Sequence, residues 1–575
     1  MNFAAVYHQP MSEYAFALDD THYVFRLRAQ AGDLSACTFW YADRAAMGPL
    51  GYRPVPMERV CTDALLDWFE VRLSTPLDRI SYYFEISDGQ KTAYFIGGVF
   101  QATAQAERSE GFQFSYNHRA DRLVVPQWAA DAVVYNIFPD SFATATADIS
   151  RRGTAKPWRD TACASLLGGT LNGIRENLDY VRDMGFTCMY LNPIFAAQSY
   201  HKYDTLDHFS IDPCFGTLED MRRLVTAAHA KGMRIILDGV FNHISSRHPF
   251  FQDVLQNAAQ SKYYRWFYKL PERPVFPAPG EMPDYACFSY VAQMPKMDLS
   301  NQEACAYFCD VGQYWLRELD IDGWRLDVAN EINDGFLRAF RQAVKAVKPD
   351  ALIVGEVWED GSRYLQGDML DACMNYDFRR FATQFFAKKS IDASALAVRM
   401  NWLMTRYKEP ALSAQLNLLD GHDVNRFLSE CDGQCDAMEL AVVFQMTLPG
   451  MPSVFYGDER GLTGTTEPAY RQAMDWHAAH PLQAHYARLI RLRREHPALR
   501  RGRYRQDIAQ GDVFGYSMRD ENECIHVLLN RGEGAFAVPP NSAFADSAAL
   551  MQKGYQAGVL APGGYVVQKM NNGLE

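Results

Sequence analysis

Seven polar residues stand at or just beyond the C-terminal ends of short apolar runs. They are Asp238 and His243 in RIILDGVFNH, Arg325 and Asp327 in GWRLDVA, Glu356 in ALIVGEVW, and His422 and Asp423 in AQLNLLDGHD. Arg325 and Asp327 are two apart, so in a strand their side chains share a face. A fixed cation beside a carboxylate keeps it ionised, which suits a nucleophile. Glu356 follows the apolar ALIVG and precedes Val357 and Trp358. Apolar surroundings and nearby carboxylates raise a carboxyl pKa, which suits a general acid. Two carboxyl groups driven apart in this way are the requirement for cleaving a glycosidic bond. Taken singly, such residues have plainer explanations: Asp220 and Asp334 read as helix caps, and Asp458 as structural. Taken together they do not, because charges in a barrel rim are costly unless paired or functional.

The elements that must position them run from Trp128 to about residue 495. VVYNIFP, CMYLNPIF, RIILDGVFNH, GWRLDVA, ALIVGEVW, AQLNLLDGHD and PSVFYGDE read as strands, with a weaker one at ACMNYDF. Amphipathic stretches alternate with them. Leu171, Ile174, Leu178 and Val181 recur at helical spacing before Gly185, and Leu218, Met221, Val225 and Ala228 before Gly232. Eight β-α units predict an α/β fold, a parallel (β/α)8 barrel whose chemistry gathers at the C-terminal strand ends. An open doubly wound sheet would want a Gly-rich loop after its first strand, and none is present. The insertion over residues 244–300 is far longer than an ordinary βα loop. Its aromatics Tyr263, Tyr264, Trp266, Phe267, Tyr268, Phe288 and Tyr290 read mostly as a private core, with one or two facing the site.

Residues 1–127 carry alternating aromatic runs and predict an N-terminal β-sandwich. In ISYYFEISDG, Ile80, Tyr82, Phe84 and Ile86 fall on one strand face. Residues 496–575 return to strand-like runs (VFGYSM, IHVLLN, AFAVP, YVVQ) and predict a C-terminal β-sandwich. The 575 residues exceed what one core accommodates. A net charge of −12 argues against nucleic-acid or anionic-membrane partners. No run is long enough to span a membrane and no secretory signal is visible, so a cytoplasmic protein with its twelve cysteines reduced is expected. Cys305 with Cys309, and Cys431 with Cys435, lack further ligands at zinc spacing.

DGVFNH (238–243), GWRLDVANE (323–331), GEVW (355–358) and LLDGHD (418–423) resemble, in order, the four signature regions of the α-amylase superfamily of glycoside hydrolases. The resemblance implies that Asp327 is the nucleophile, Glu356 the acid/base and Asp423 the third carboxylate gripping sugar hydroxyls. It implies that Arg325 orients the nucleophile, that His243 and His422 hydrogen-bond the glucose at the cleavage site, that Tyr203 is its platform, and that Asp238 lies at the base. VANE, MPKMD (294–298), NPIF followed by SYHKYDT, and the β-rich N-terminus resemble the cyclomaltodextrinase, neopullulanase and maltogenic amylase group. That implies retaining, endo-type hydrolysis of α-1,4 bonds in cyclodextrins, maltooligosaccharides and pullulan or starch, some transglycosylation, and a homodimer formed through the N-terminal domain. It also implies that Trp358 shapes the acceptor side, and that Glu467 with Arg471 closes the donor side.

Several positions depart from the group. Asp298 replaces an Asn, Glu359 replaces a His, and Glu467 replaces an Asp. Where relatives carry a calcium loop of Asn, Gly and Asp residues, this chain reads SFATATADISRRGT, and Gly168-Gly169 is followed by Thr170 rather than Asp, so no metal cofactor is expected. The rivals within the superfamily are an exo-acting α-glucosidase or oligo-1,6-glucosidase and a glucosyl-transferring isomerase. A barrel retained only as an interaction module would have lost the three carboxylates.

Overall fold

The computed structural model describes residues 1–104, 109–145, 167–540, 542, 544 and 547–570. Eight parallel strands form the central barrel: β1 (Val134–Ile137), β2 (Cys188–Leu191), β3 (Arg234–Gly239), β4 (Gly323–Leu326), β5 (Leu352–Gly355), β6 (Ala372–Cys373), β7 (Leu416–Leu418) and β8 (Met451–Phe455). They are hydrogen-bonded in the order β6-β5-β4-β3-β2-β1-β8-β7, and a bridge between Met374 and Leu416 closes the ring. The strands are short and almost continuously buried, as parallel strands covered on both faces must be. The weakest sequence signal, ACMNYDF, yields only the two-residue β6. The register sets the site, because Asp238 on β3 lies directly across from Arg325 on β4.

The first barrel helix is two helices, Leu171–Glu176 and Leu178–Met184. Asn177 breaks them: its side-chain amide donates to the Gly173 carbonyl at 2.8 Å, competing with the helix ladder. Leu171, Ile174, Leu178 and Val181 are still all buried, and Gly185 ends the second helix at φ 99°, a left-handed value that favours glycine. Asp220 completes a capping box with Thr217. Asp334 occupies the first turn of helix Asp334–Val347, whose cap is Asn333.

Two antiparallel sheets make the N-terminal domain and share one aromatic core, with Tyr23, Phe25, Phe39, Tyr82 and Phe84 at its centre. Strand Ile80–Ser87 is buried on more than the expected face. Tyr83, on the other face, is covered by Trp40, stacked at 6.0 Å, and by Tyr52 at 4.9 Å. Arg26 fastens this domain to the barrel. It is buried, pairs with Glu70 at 3.0 Å, and donates to the carbonyls of Thr405 and Tyr407, each at 3.2 Å.

The C-terminal region is a six-stranded antiparallel sheet. Phe514 and Tyr516 on one face belong to the same hydrophobic core as the barrel, while Val513, Leu528 and Phe544 form a separate small cluster. AFAVP contributes only the two-residue strand Phe536–Ala537. Ten cysteines, Cys305, Cys309, Cys431 and Cys435 among them, are free, but Cys214 is disulfide-bonded, so the expectation of twelve reduced thiols does not hold. No helix among the described residues is long and apolar enough to cross a membrane.

Candidate active site

Arg325 is fully buried at the end of β4, and three carboxyl groups converge on it. Its Nη1 lies 2.7 Å from Asp327 Oδ1 and 2.9 Å from Asp238 Oδ1. Its Nη2 lies 2.8 Å from Glu356 Oε2, off the N–H axis, so this contact is one of charge rather than an aligned hydrogen bond. Asp327 and Glu356, each 5% exposed, therefore straddle one guanidinium at the ends of adjacent strands. Glu356 also accepts the Val328 N–H and the Trp358 Nε1–H, both at 2.9 Å.

Read from its strand alone, Arg325 keeps Asp327 ionised. In the fold, that single cation is divided among three carboxyl groups. Burial raises the Asp327 carboxyl well above its ordinary range, Arg325 opposes the shift, and Glu356 and Asp238 add to it.

Asp423 sits in the opposite regime. Burial pushes its carboxyl up, but His422 and then Arg471 outweigh it and hold the group below the usual carboxylate range. His422 Nε2 is 2.6 Å from Asp423 Oδ2, and Arg471 Nη2 is 3.0 Å from Oδ1. Arg471 also bonds Glu467 at 2.7 Å and the Tyr200 hydroxyl at 3.0 Å. The expected Glu467–Arg471 pair thus forms and is tied directly to Asp423.

Tyr203 stacks on His422 with ring centroids 5.3 Å apart, donates to Asp238 at 3.0 Å and hydrogen-bonds His422. The preceding Lys202, buried and left-handed at φ 67°, pairs with Asp212 at 2.9 Å and so pins the SYHKYDT loop. His243 is buried; its Nδ1 is 3.3 Å from the Asn242 amide, while its Nε2 has no partner among the described residues. Burial, then Lys296, lowers its pKa to about 3, so it is a neutral imidazole. Phe288 stacks on it at 5.0 Å. Phe288 is thus the aromatic of the insertion that reaches the site. Trp266 and Phe267 are buried core, Tyr263 and Tyr264 pack against it, and Tyr290 is exposed. Trp358 is half-exposed and stacks on Tyr376 at 3.8 Å.

The sequence reading missed Tyr190, Asn192 and Tyr376. Tyr190 donates to Asp238 at 2.6 Å, and Asn192 contacts both Tyr203 and His422. The available signal was polarity at alternate positions of the β2 run, where an apolar filling was expected.

The departures have local explanations. Asp298 accepts from the Ser300 N–H and hydroxyl, and so closes its own turn. Glu359 accepts from Asn330 at 2.9 Å at the surface. Asp458 pairs with Arg426, and Glu459 accepts from the Tyr135 and Tyr180 hydroxyls, so neither belongs to the cluster around Arg325. Residues 146–166, which carry most of the loop that relatives use for calcium, lie outside the described residues. Next to them, Asp140 accepts the N–H groups of Leu167 and Gly168, both at 3.1 Å, and Thr170 caps a helix. Among the described residues there is no group of three or more His, Cys, Asp or Glu side chains that could hold a metal ion.

The α-amylase catalytic domain matches residues 136–483, and the α-amylase N-terminal Ig-like domain matches residues 1–118. This chain belongs to the α-amylase family of glycoside hydrolases. It is 39% identical to a cyclomaltodextrinase of Geobacillus thermopakistaniensis over 545 residues, 93% of this chain and 92% of that one. It is 40% identical to neopullulanase 2 of Thermoactinomyces vulgaris over 544 residues, 92% and 91% of the two chains. A solved cyclomaltodextrinase superposes with a TM-score of 0.89 at 33% identity, covering 99% of this chain and 100% of that one.

Proposed function

We propose that this glycoside hydrolase cleaves α-1,4-glucosidic bonds in cyclodextrins, maltooligosaccharides and pullulan, with retention of anomeric configuration. The observation that carries this reading is the pairing of Asp327 and Glu356 across the single Arg325 guanidinium. Carboxyl groups so close suit a nucleophile and an acid, about 5 Å apart, rather than the wider gap that admits a water. The similarity to cyclomaltodextrinase and neopullulanase supports the substrate class.

In the first step the Asp327 carboxylate attacks the anomeric carbon. Glu356 protonates the departing glycosidic oxygen, and a glycosyl ester forms on Asp327. In the second, Glu356 takes a proton from water, the water oxygen bonds to the anomeric carbon, and Asp327 leaves. A sugar hydroxyl in place of water gives transglycosylation. Because Trp358 Nε1–H holds Glu356 Oε1 in the free enzyme, substrate on the acceptor side must draw that bond away before Oε1 can serve the leaving oxygen. Asp423, held ionised, and neutral His243 are suited to gripping hydroxyls of the sugar being cleaved, with Tyr203 beneath it. Glu467 and Arg471 close the donor side.

The test is proton NMR of the first products from β-cyclodextrin, maltotriose, pullulan and isomaltose. The α-anomer should appear first from the α-1,4 substrates. Initial release of the β-anomer would overturn the mechanism, and isomaltose as the best substrate would move the chain to the α-1,6-glucosidases. We further propose a homodimer formed through the N-terminal domain, which sedimentation equilibrium of the whole chain and of an N-terminal surface variant would test.

A further inference from the structure

The C-terminal sheet holds a second cluster of reactive side chains. Cys524 and His526 are two apart on strand Cys524–Asn530 and so share a face. His526 Nε2 lies 3.6 Å from Cys524 Sγ, and its Nδ1 lies 3.3 Å from Asp507 Oδ2. Asp507 is the unpaired residue where the register shifts in strand Arg503–Gln510. Thiol, imidazole and carboxylate thus stand in line, in the order that activates a sulfur nucleophile.

The surroundings strengthen the arrangement. Arg519 is the direct cross-strand partner of Cys524, and Arg503 is the partner of Arg519, so two cations lie in the same row of the sheet. Cations and an imidazole beside a partly exposed cysteine are the setting in which reactive thiols are found. His526 is only 2% exposed; burial lowers its pKa, but Asp507 and Cys524 outweigh burial and bring it to about 9. Cys524 itself is partly exposed and lines a cavity of about 800 Å³ whose wall carries Arg503, Arg505 and Arg519 together with the acidic Glu58, Asp520 and Glu521. That volume is within the range of small-molecule sites. Arg503 already pairs with Glu70 at 3.5 Å, which leaves Arg519 as the nearer free cation in the row among the described residues. None of these residues belongs to the site around Arg325.

We infer that Cys524 is a reactive thiol that undergoes exchange with low-molecular-weight disulfides bearing carboxylates. The Cys524 sulfur attacks one sulfur of the disulfide, whose S–S bond breaks. A Cys524 mixed disulfide forms, and the departing thiolate takes the proton held by His526. The incoming disulfide is the oxidant: one of its halves is reduced to the free thiol, and Cys524 is oxidised. The carboxylates of the bound half are placed to meet Arg519.

The whole protein is treated with iodoacetamide at pH 7, and the alkylation rate of each cysteine is followed by peptide mass mapping. Cys524 should react about 10-fold faster than the other partly exposed thiols Cys61, Cys287, Cys305, Cys309 and Cys435. His526→Gln should remove that advantage while leaving glucan hydrolysis unchanged. Asp507→Asn should remove part of it, and serves if the first variant folds poorly. In a second arm, oxidised glutathione should label Cys524 about 10-fold faster than does hydroxyethyl disulfide, which carries no charge. Cys524 reacting no faster than the other thiols, or keeping its rate in the His526 variant, would overturn the activated thiol. Equal rates with the two disulfides would overturn the preference for carboxylates.

Discussion

Two buried arginines at the rim of the same barrel meet similar partners and come to different ends. Arg325 gathers Asp238, Asp327 and Glu356; Arg426 gathers Asp458, with Asp420 beside it. Both hold a carboxyl group raised well above its ordinary range, mainly by burial, and Asp327 and Asp458 are about equally hidden, at 5% and 3% exposed. Neither burial nor a raised pKa therefore separates a reactive centre from a structural one. The difference lies in what each arginine does with its remaining donors. Arg426 donates to the carbonyls of Tyr456 at 2.7 Å and Tyr470 at 2.9 Å and lies over the Phe455 ring, tying down the loops that follow β8. Arg325 makes no bond to a backbone carbonyl among the described residues. Its carboxyl groups face a half-exposed Trp358, and an unpartnered His243 nitrogen lies in the same site.

The sharpest way to break this comparison is to neutralise the matching carboxyl groups. Asp327→Asn should lower kcat on β-cyclodextrin by at least about 10⁴-fold. Asp458→Asn should leave kcat of the folded enzyme within about 3-fold; equal losses would erase the distinction. Replacing the arginines comes next. Arg325→Met should lower kcat by about 10²- to 10³-fold, with the fold retained. Arg426→Met should instead cost about 3–5 kcal/mol of stability in denaturant titrations, because it leaves buried carboxylates and carbonyls unpaired.

A smaller effect concerns pH. Asp327 has a folded pKa above its unfolded value of about 3.9, so between the two the native state binds more protons than the unfolded chain. Stability then falls as pH rises through that window. Asp327→Asn should be more stable than the parent by about 1 kcal/mol above the window, and the gap should close below about pH 4. Thermal melts across pH would show a constant gap if the reading is wrong. The smallest expected effect is that of chelation: EDTA should leave Tm and activity unchanged, and a large drop in either would place a metal in the loop after β1.

The barrel was legible because its strands are apolar runs that end in charge, and most of the site followed from where those runs stop. Arg325 and Asp327 could be placed on one face from their spacing alone. The across-strand pairing of Asp238 with Arg325 could not, since register is a tertiary property. For the same reason spacing along β4 shows one carboxyl beside one cation, whereas the fold brings three. Tyr190, Asn192 and Tyr376 were hidden because each serves the site through a contact distant in sequence. Asn177 shows the reverse limit, a local hydrogen bond that splits a helix without disturbing its apolar stripe.

The anchoring of Arg26 bears on how this enzyme can be shortened. A guanidinium from the first sheet fills two carbonyls at the end of barrel helix Ala393–Arg406. Cutting away residues 1–118 would uncover those carbonyls. A shortened enzyme would therefore have to offer those two carbonyls another donor, or leave them to water.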